Sequence, residues 1–188
     1  MYSPRDMSDA PMPRDALPRK PIALVGLMGV GKSTIGRRLA QRLDMPFVDA
    51  DAEIVEAAGM SIADIFERFG EPHFRDGERR VIARLMDGTP RVIATGGGAF
   101  VNDETRALML DHALVVWLDA DLDTLAERVS RRNDRPLLRN GNARDILGKL
   151  AAERTPAYAQ AHIHIKSQTS PHEATVDAIV KELAKCDA

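Results

Sequence analysis

The stretch GLMGVGKST, Gly26 to Thr34, carries glycine, lysine and hydroxyl residues at the spacing G-x-x-x-x-G-K-S/T. Residues of these types at this spacing cradle phosphate. Glycines allow backbone angles that turn successive N–H groups onto an anion, and a helix opening at the loop adds its positive end. Lys32 supplies a mobile charge for the β- and γ-phosphates of a nucleoside triphosphate, and the Ser33 hydroxyl can ligate Mg²⁺. Nucleotide contacts are therefore expected on Gly29, Val30, Gly31, Lys32, Ser33 and Thr34. The pattern alone arises by chance, but here an apolar strand precedes it and an amphipathic helix follows.

Three further groups could handle an acceptor. Asp49 and Asp51 stand two apart in VDAD, so in an extended segment they share a face. Two carboxylates side by side repel unless a cation or hydroxyl donor lies between them; capping of a following helix is the simpler alternative. In GEPHFRDGE, Arg75 and Glu78 are one helical turn apart, as a site pair or as a surface salt bridge. TGGGA, Thr95 to Ala99, follows a buried strand, and three glycines there permit close approach of a ligand to the backbone. A plain tight turn rarely needs three.

The elements that must position these groups can be read from periodicity. Strands are expected at Pro21–Val25, Pro46–Val48, Arg91–Thr95, Ala113–Leu118 and Ile163–Ile165. Helices are expected at Lys32–Leu43, from an N-cap at Ser61 to Gly70, and at Glu78–Met86, Leu122–Ser130, Ala143–Glu153 and Glu173–Lys185. Arg131–Asn142, RRNDRPLLRNGN, reads as a basic loop. Strands alternating with helices imply an α/β fold, a parallel sheet covered on both faces. Ligands in such folds lie at the carboxyl ends of the strands.

The chain has 188 residues, 44% of them hydrophobic and 29% charged, which suits one globular domain over 21–188. A net charge of −2 gives no reason to expect nucleic acid or an anionic membrane as partner. No apolar run approaches the roughly 20 residues of a membrane span. Residues 1–20 hold four prolines and mixed charge without an apolar centre, so a disordered tail is expected rather than a secretory signal. The single cysteine, Cys186, has no intrachain partner, which fits a reducing cytosol. No guanine-specificity motif of the N-K-x-D kind is present, and motor or transporter ATPases are larger. A small-metabolite kinase is the reading that remains.

The order of these motifs resembles the shikimate kinase family. The phosphate loop, D-x-D, FR-x-x-E (Phe74 to Glu78), GGG, RPLL (Arg135 to Leu138) and R-x-x-x-Y (Arg154 to Tyr158) all appear, over about Pro21 to Lys185. The resemblance implies a three-layer P-loop kinase fold like that of the nucleoside monophosphate kinases. It carries a five-stranded parallel sheet, a substrate-binding region at about 49–80 and a lid at about 131–142. It implies transfer of the γ-phosphoryl of ATP to the 3-hydroxyl of shikimate, on the way to chorismate and the aromatic amino acids, by a cytoplasmic monomer. By position, Asp51 would bind shikimate hydroxyls and act in catalysis with Lys32 and Arg135. Arg75 and Arg154 would grip the carboxylate, and Gly97 would approach a hydroxyl through its backbone. Ser33 and, through water, Asp49 would serve Mg²⁺. Arg128 would pack on adenine opposite the Ser167–Pro171 loop, where Ser170 stands in place of a longer polar residue common in relatives.

The chemistry of such an acceptor agrees with these residues, since a carboxylate bearing hydroxyls needs planar cations at one end and acceptors at the other. Phe66 and Phe74 could wall its ring, or Phe66 could simply be core. No role is expected for His73, and no metal site at His162 and His164. The alternatives are a related enzyme such as a gluconate kinase, or a kinase-like regulatory module without catalysis.

Overall fold

A computed structural model describes residues 18–131, 142–167 and 172–186. Its first half runs β1 (Ile22–Val25), α1 (Lys32–Leu43), β2 (Phe47–Asp49), α2 (Ala50–Ala58), α3 (Ile62–Leu85) and β3 (Val92–Ala94). A 3₁₀ turn at Ala99–Val101 then leads to α4 (Asp103–His112), β4 (Leu114–Asp119), α5 (Leu122–Ser130), α6 (Ala143–Tyr158), β5 (Ile163–Lys166) and α7 (His172–Cys186). The strands make one parallel sheet in the order β2-β3-β1-β4-β5.

Leu24 pairs with Ala94 on one side and Val116 on the other, so β1 is central. All four of its residues, IALV, are buried, as a strand with no solvent face requires. Edge strand β5 alternates instead, burying Ile163 and Ile165 and exposing His164 and Lys166. On α1, Ile35, Leu39 and Leu43 form the buried stripe that their spacing predicts. The chain leaves β1 toward β2 and leaves β4 toward β5, in opposite directions across the sheet. A reversal of this kind opens a ligand crevice at the strand ends.

Several expectations need correction. Asp49 belongs to β2, and the chain turns directly into α2, so Asp51 sits in a first helical turn rather than in an extended segment. The two helices expected on either side of Gly70 form one run, α3, interrupted by non-helical backbone at Gly70 (φ 79°, ψ 172°). Pro72 falls two residues past that break, where a helix start does not need its missing N–H. Ser61 caps α3 as expected, its hydroxyl accepting from the Asp64 N–H at 3.1 Å.

Helix α4 was not expected; its signal was the Asn102 cap, which accepts from the Thr105 N–H, followed by two acidic residues. Helix α6 continues past Pro156 to Tyr158, which puts Arg154 and Tyr158 on one face. Residues 18–20, expected within the tail, are held against the domain: Pro18 is buried and Lys20 donates to the Asp111 carbonyl at 3.1 Å. Residues 1–17 and most of the expected lid lie outside the described residues. Among the described residues no helix is long and apolar enough to cross a membrane.

Candidate active site

The phosphate loop leaves the end of β1 through Gly26, whose φ of 141° suits only glycine. A Cβ there would lie 2.3 Å from the Leu118 carbonyl oxygen, so β4 packs directly on the loop. Gly31 is the N-cap of α1, and no side chain caps that helix. Its first N–H groups therefore face the loop's concavity, which is what an anion needs. Lys32 arches back over the loop, Nζ donating to the carbonyls of Gly26 at 2.8 Å and Leu27 at 3.0 Å. Gly29, Val30 and Thr34 stand in the same loop and helix start, as their spacing requires.

The Ser33 hydroxyl donates to Asp49 Oδ2 at 2.7 Å, joining the start of α1 to the end of β2. Asp49 Oδ1 accepts the Asp51 N–H at 3.1 Å and so also caps α2. The capping alternative and the site reading thus apply to the same carboxylate. A hydroxyl and a carboxylate in contact form a hard-oxygen pair that fits Mg²⁺, a cation that keeps several waters of its own.

Arg128 of α5 reaches the carbonyls of Gly29 and Val30, both at 3.5 Å, which puts its guanidinium at the lip of the loop. His172 lies against the same loop, its ring 3.7 Å from where a Gly31 Cβ would stand. Burial lowers the His172 pKa, and the positive charges of Arg128 and Arg38 lower it further. Nothing in the sequence singled out His172. Arg135 and Ser170 lie outside the described residues.

Beside the loop opens a cleft of about 390 Å³. Phe66 and Phe74 form its apolar wall, ring centroids 4.7 Å apart, with Phe74 buried and Phe66 partly so. Asp51 from α2, Arg75 from α3 and Arg154 from α6 line it as well. The glycine triplet after β3 is the plate on which these charged groups lie. A Cβ on Gly96 would stand 2.7 Å from Glu78 Oε1 and 3.2 Å from Asp51 Oδ1. On Gly97 it would be 2.9 Å from Arg154 Nη1, and on Gly98 2.5 Å from Arg75 Nη1. The close approach expected of a ligand is thus made first by the protein's own side chains. The position of a Gly97 Cβ is also 3.4 Å from the Gly26 carbonyl oxygen, so cleft and phosphate loop share a wall.

Glu78 is only 3% exposed, and its Oε2 accepts from Arg75 Nη1 at 2.6 Å, which rules out the surface salt bridge. Its Oε1 accepts no hydrogen bond among the described residues. Burial raises the Glu78 pKa, Arg75 opposes that shift, and Asp51 adds to it. The Arg75 guanidinium lies 5.2 Å over the Phe74 ring. Burial by itself would lower the Arg75 pKa, but Glu78 and Glu71 together raise it.

Two contributors escaped the sequence reading. Tyr158 is buried and donates its hydroxyl to the Gly97 carbonyl, the glycine whose Cβ position Arg154 also approaches. Burial raises its pKa, while Arg154 pulls the other way. Glu71 accepts from Arg75 Nε at 3.3 Å and from Nη2 at 3.2 Å. The R-x-x-x-Y and G-E signals were visible, but nothing local tells what they touch.

A phosphate loop that shares a wall with a cleft of two arginines and a carboxylate defines a P-loop kinase of small anionic molecules. The chain belongs to the shikimate kinase family, whose model, described as "Shikimate kinase", matches residues 28–184. A shikimate kinase of Novosphingobium aromaticivorans is 57% identical over 169 residues, 87% of each chain. The structure is similar to a shikimate kinase from Acinetobacter baumannii in complex with shikimate, with TM-score 0.87 and 34% identity over 93% of this chain and 98% of that one. A gluconokinase from Sinorhizobium meliloti shares the fold alone, at TM-score 0.59 and 19% identity over 89% of this chain and 93% of that one.

Proposed function

We propose that this protein transfers the γ-phosphoryl of ATP to the 3-hydroxyl of shikimate, giving shikimate 3-phosphate and ADP. The observation that carries this reading is the shared wall of glycine triplet and phosphate loop. It sets a cleft with two cations and a carboxylate next to where a γ-phosphate would lie. Family membership supports it independently.

In this reading Arg75 and Arg154 bind the shikimate carboxylate by charge-assisted hydrogen bonds. Asp51 accepts from the hydroxyl end, Gly97 offers its backbone, and Phe66 and Phe74 wall the ring. The 3-hydroxyl oxygen forms a bond to the γ-phosphorus as the bond to the β–γ bridging oxygen breaks. The hydroxyl proton passes to Asp51 or to the transferred group, since a loose transition state demands little prior deprotonation. Lys32 and the loop N–H groups hold the charge that moves onto ADP. Ser33 and Asp49 would hold Mg²⁺, which neutralises phosphate charge when bound. Arg128 takes the adenine side, with Ser170, while Arg135 reaches the phosphates from a lid at about 131–142. The reading includes a cytoplasmic monomer acting in aromatic amino-acid biosynthesis.

Coupled ADP-release assays with shikimate, with gluconate and with no acceptor test the proposal. Turnover is expected with shikimate alone. Turnover with gluconate instead would move the protein to another metabolite kinase, and no turnover with any acceptor would make it a regulatory module.

A further inference from the structure

Arg75 is held between two carboxylates that are very unequal. Glu78 takes Nη1 at 2.6 Å and is 3% exposed, so it cannot leave without stranding a buried charge. Glu71 takes the opposite edge, Nε and Nη2, with the single oxygen Oε1 at 3.3 and 3.2 Å, and its side chain is 58% exposed. The Nε/Nη2 edge is one that a carboxylate grips with two parallel bonds. Glu71 uses it with one oxygen, at distances longer than the usual 2.7–2.9 Å or so of a charge-assisted bond.

A second carboxylate brought to that edge would meet like charge at close range. A hollow of about 290 Å³ adjoins the cleft across Arg75, Gly98 and Arg154; Glu71, Arg79 and Glu153 line its far side, so the exposed Glu71 side chain has open space beside it. Glu71 also follows directly on Gly70, where α3 is interrupted, so its own backbone is the first of the resumed helix.

We infer that Glu71 stands in for the acceptor's carboxylate on Arg75 while the cleft is empty, and yields that edge to the acceptor on binding. This rests on the reading of Arg75 as a carboxylate-binding residue. Arg75 thereby keeps a partner and one orientation in both states, and only a ligand able to make the better two-bond grip repays the exchange. The cost of displacing Glu71 is part of the acceptor's measured affinity. Removing the Glu71 charge therefore tightens acceptor binding, the reverse of what loss of an orienting residue does.

Calorimetric titration of wild type, Glu71→Gln, Arg75→Ala and the double variant with shikimate and with its methyl ester tests the inference. Glu71 is exposed, so its replacement removes no core contact, and thermal melts check that the variants fold. Glu71→Gln is expected to tighten shikimate binding about two- to fivefold, the size of an exposed ion pair. The ester, with no charge to displace Glu71, is expected to be unaffected. The gain is expected to vanish in the Arg75→Ala background. Weaker or unchanged shikimate binding in Glu71→Gln overturns the inference, as does an equal gain for acid and ester. If Arg75→Ala itself leaves shikimate affinity unaltered, the acceptor-site reading falls, and this inference with it.

Discussion

Arg75 and Arg154 meet the same small volume from different helices, α3 and α6, and each lies within 3 Å of where a glycine Cβ would be. A charge-assisted contact from either is worth about 1.5–3 kcal/mol. Arg75→Ala or Arg154→Ala should then cut kcat/KM for shikimate about 10- to 150-fold and affect KM for ATP far less. Lysine at either position keeps the charge and loses the planar fork, so it should rescue only part of the loss. Steady-state kinetics with both substrates varied checks this, and shikimate constants like those of wild type would mean that the acceptor cleft is misassigned. At this scale the sequence was clear about which residue types were present. The i, i+3 spacing of Arg75 and Glu78 could not say whether the pair was surface or core, because burial depends on what α3 packs against.

At the scale of elements, the turns after β1 and β3 perform different tasks with the same residue. Alanine at Gly26 would need φ 141° and would drive Cβ against the backbone oxygen of Leu118 at 2.3 Å. Neither can relax, so Gly26→Ala should lower stability by about 1–3 kcal/mol or more, read by urea unfolding. Alanine at Gly97 would clash with the tip of Arg154, at 2.9 Å, while its backbone neighbours, the Gly26 carbonyl oxygen at 3.4 Å and the Met28 nitrogen at 3.7 Å, are at ordinary contact distance. That tip can shift, so Gly97→Ala should fold and melt near wild type while raising KM for shikimate more than KM for ATP. A large loss of stability in Gly97→Ala would show that the triplet serves the fold rather than the cleft. Element boundaries were read least well where local rules mislead. Pro156 signals an end to α6, yet the helix runs on to Tyr158, and Gly70 signals an end to α3, yet the run resumes at once. In both places packing against neighbours outweighs a propensity cost of a few kcal/mol at most.

Across the whole molecule, one buried group leaves a mark on the pH dependence of stability. Glu78 is an acid with a folded-state pKa above its ordinary value of 4.5. As pH rises through 4.5, the unfolded chain loses this proton while the folded protein keeps it, so stability falls until the raised value is passed. Glu78→Gln removes that contribution. Urea unfolding at a series of pH values should find wild type and variant alike near pH 4 and the variant increasingly favoured above it. A difference that does not change with pH would mean that Glu78 titrates normally.

Local features of this protein were determined by its sequence alone. Nine consecutive residues form the phosphate loop, and their glycine, lysine and serine positions dictate its backbone and charge without help from elsewhere. Continuous apolar runs such as IALV announce strands buried on both faces, hence a parallel sheet with helices on either side. The acceptor cleft was decided only by the tertiary structure. Asp51, Arg75, Gly97 and Arg154 come from four separate segments, and the strand order β2-β3-β1-β4-β5 is what folds those segments onto one edge of the sheet. The contact of Tyr158 with the Gly97 carbonyl spans 61 residues, and the Gly97–Gly26 approach joins two turns across neighbouring strands. Contacts of this kind have no local signature, because each side chain's rotamer and burial are set by residues distant in the chain.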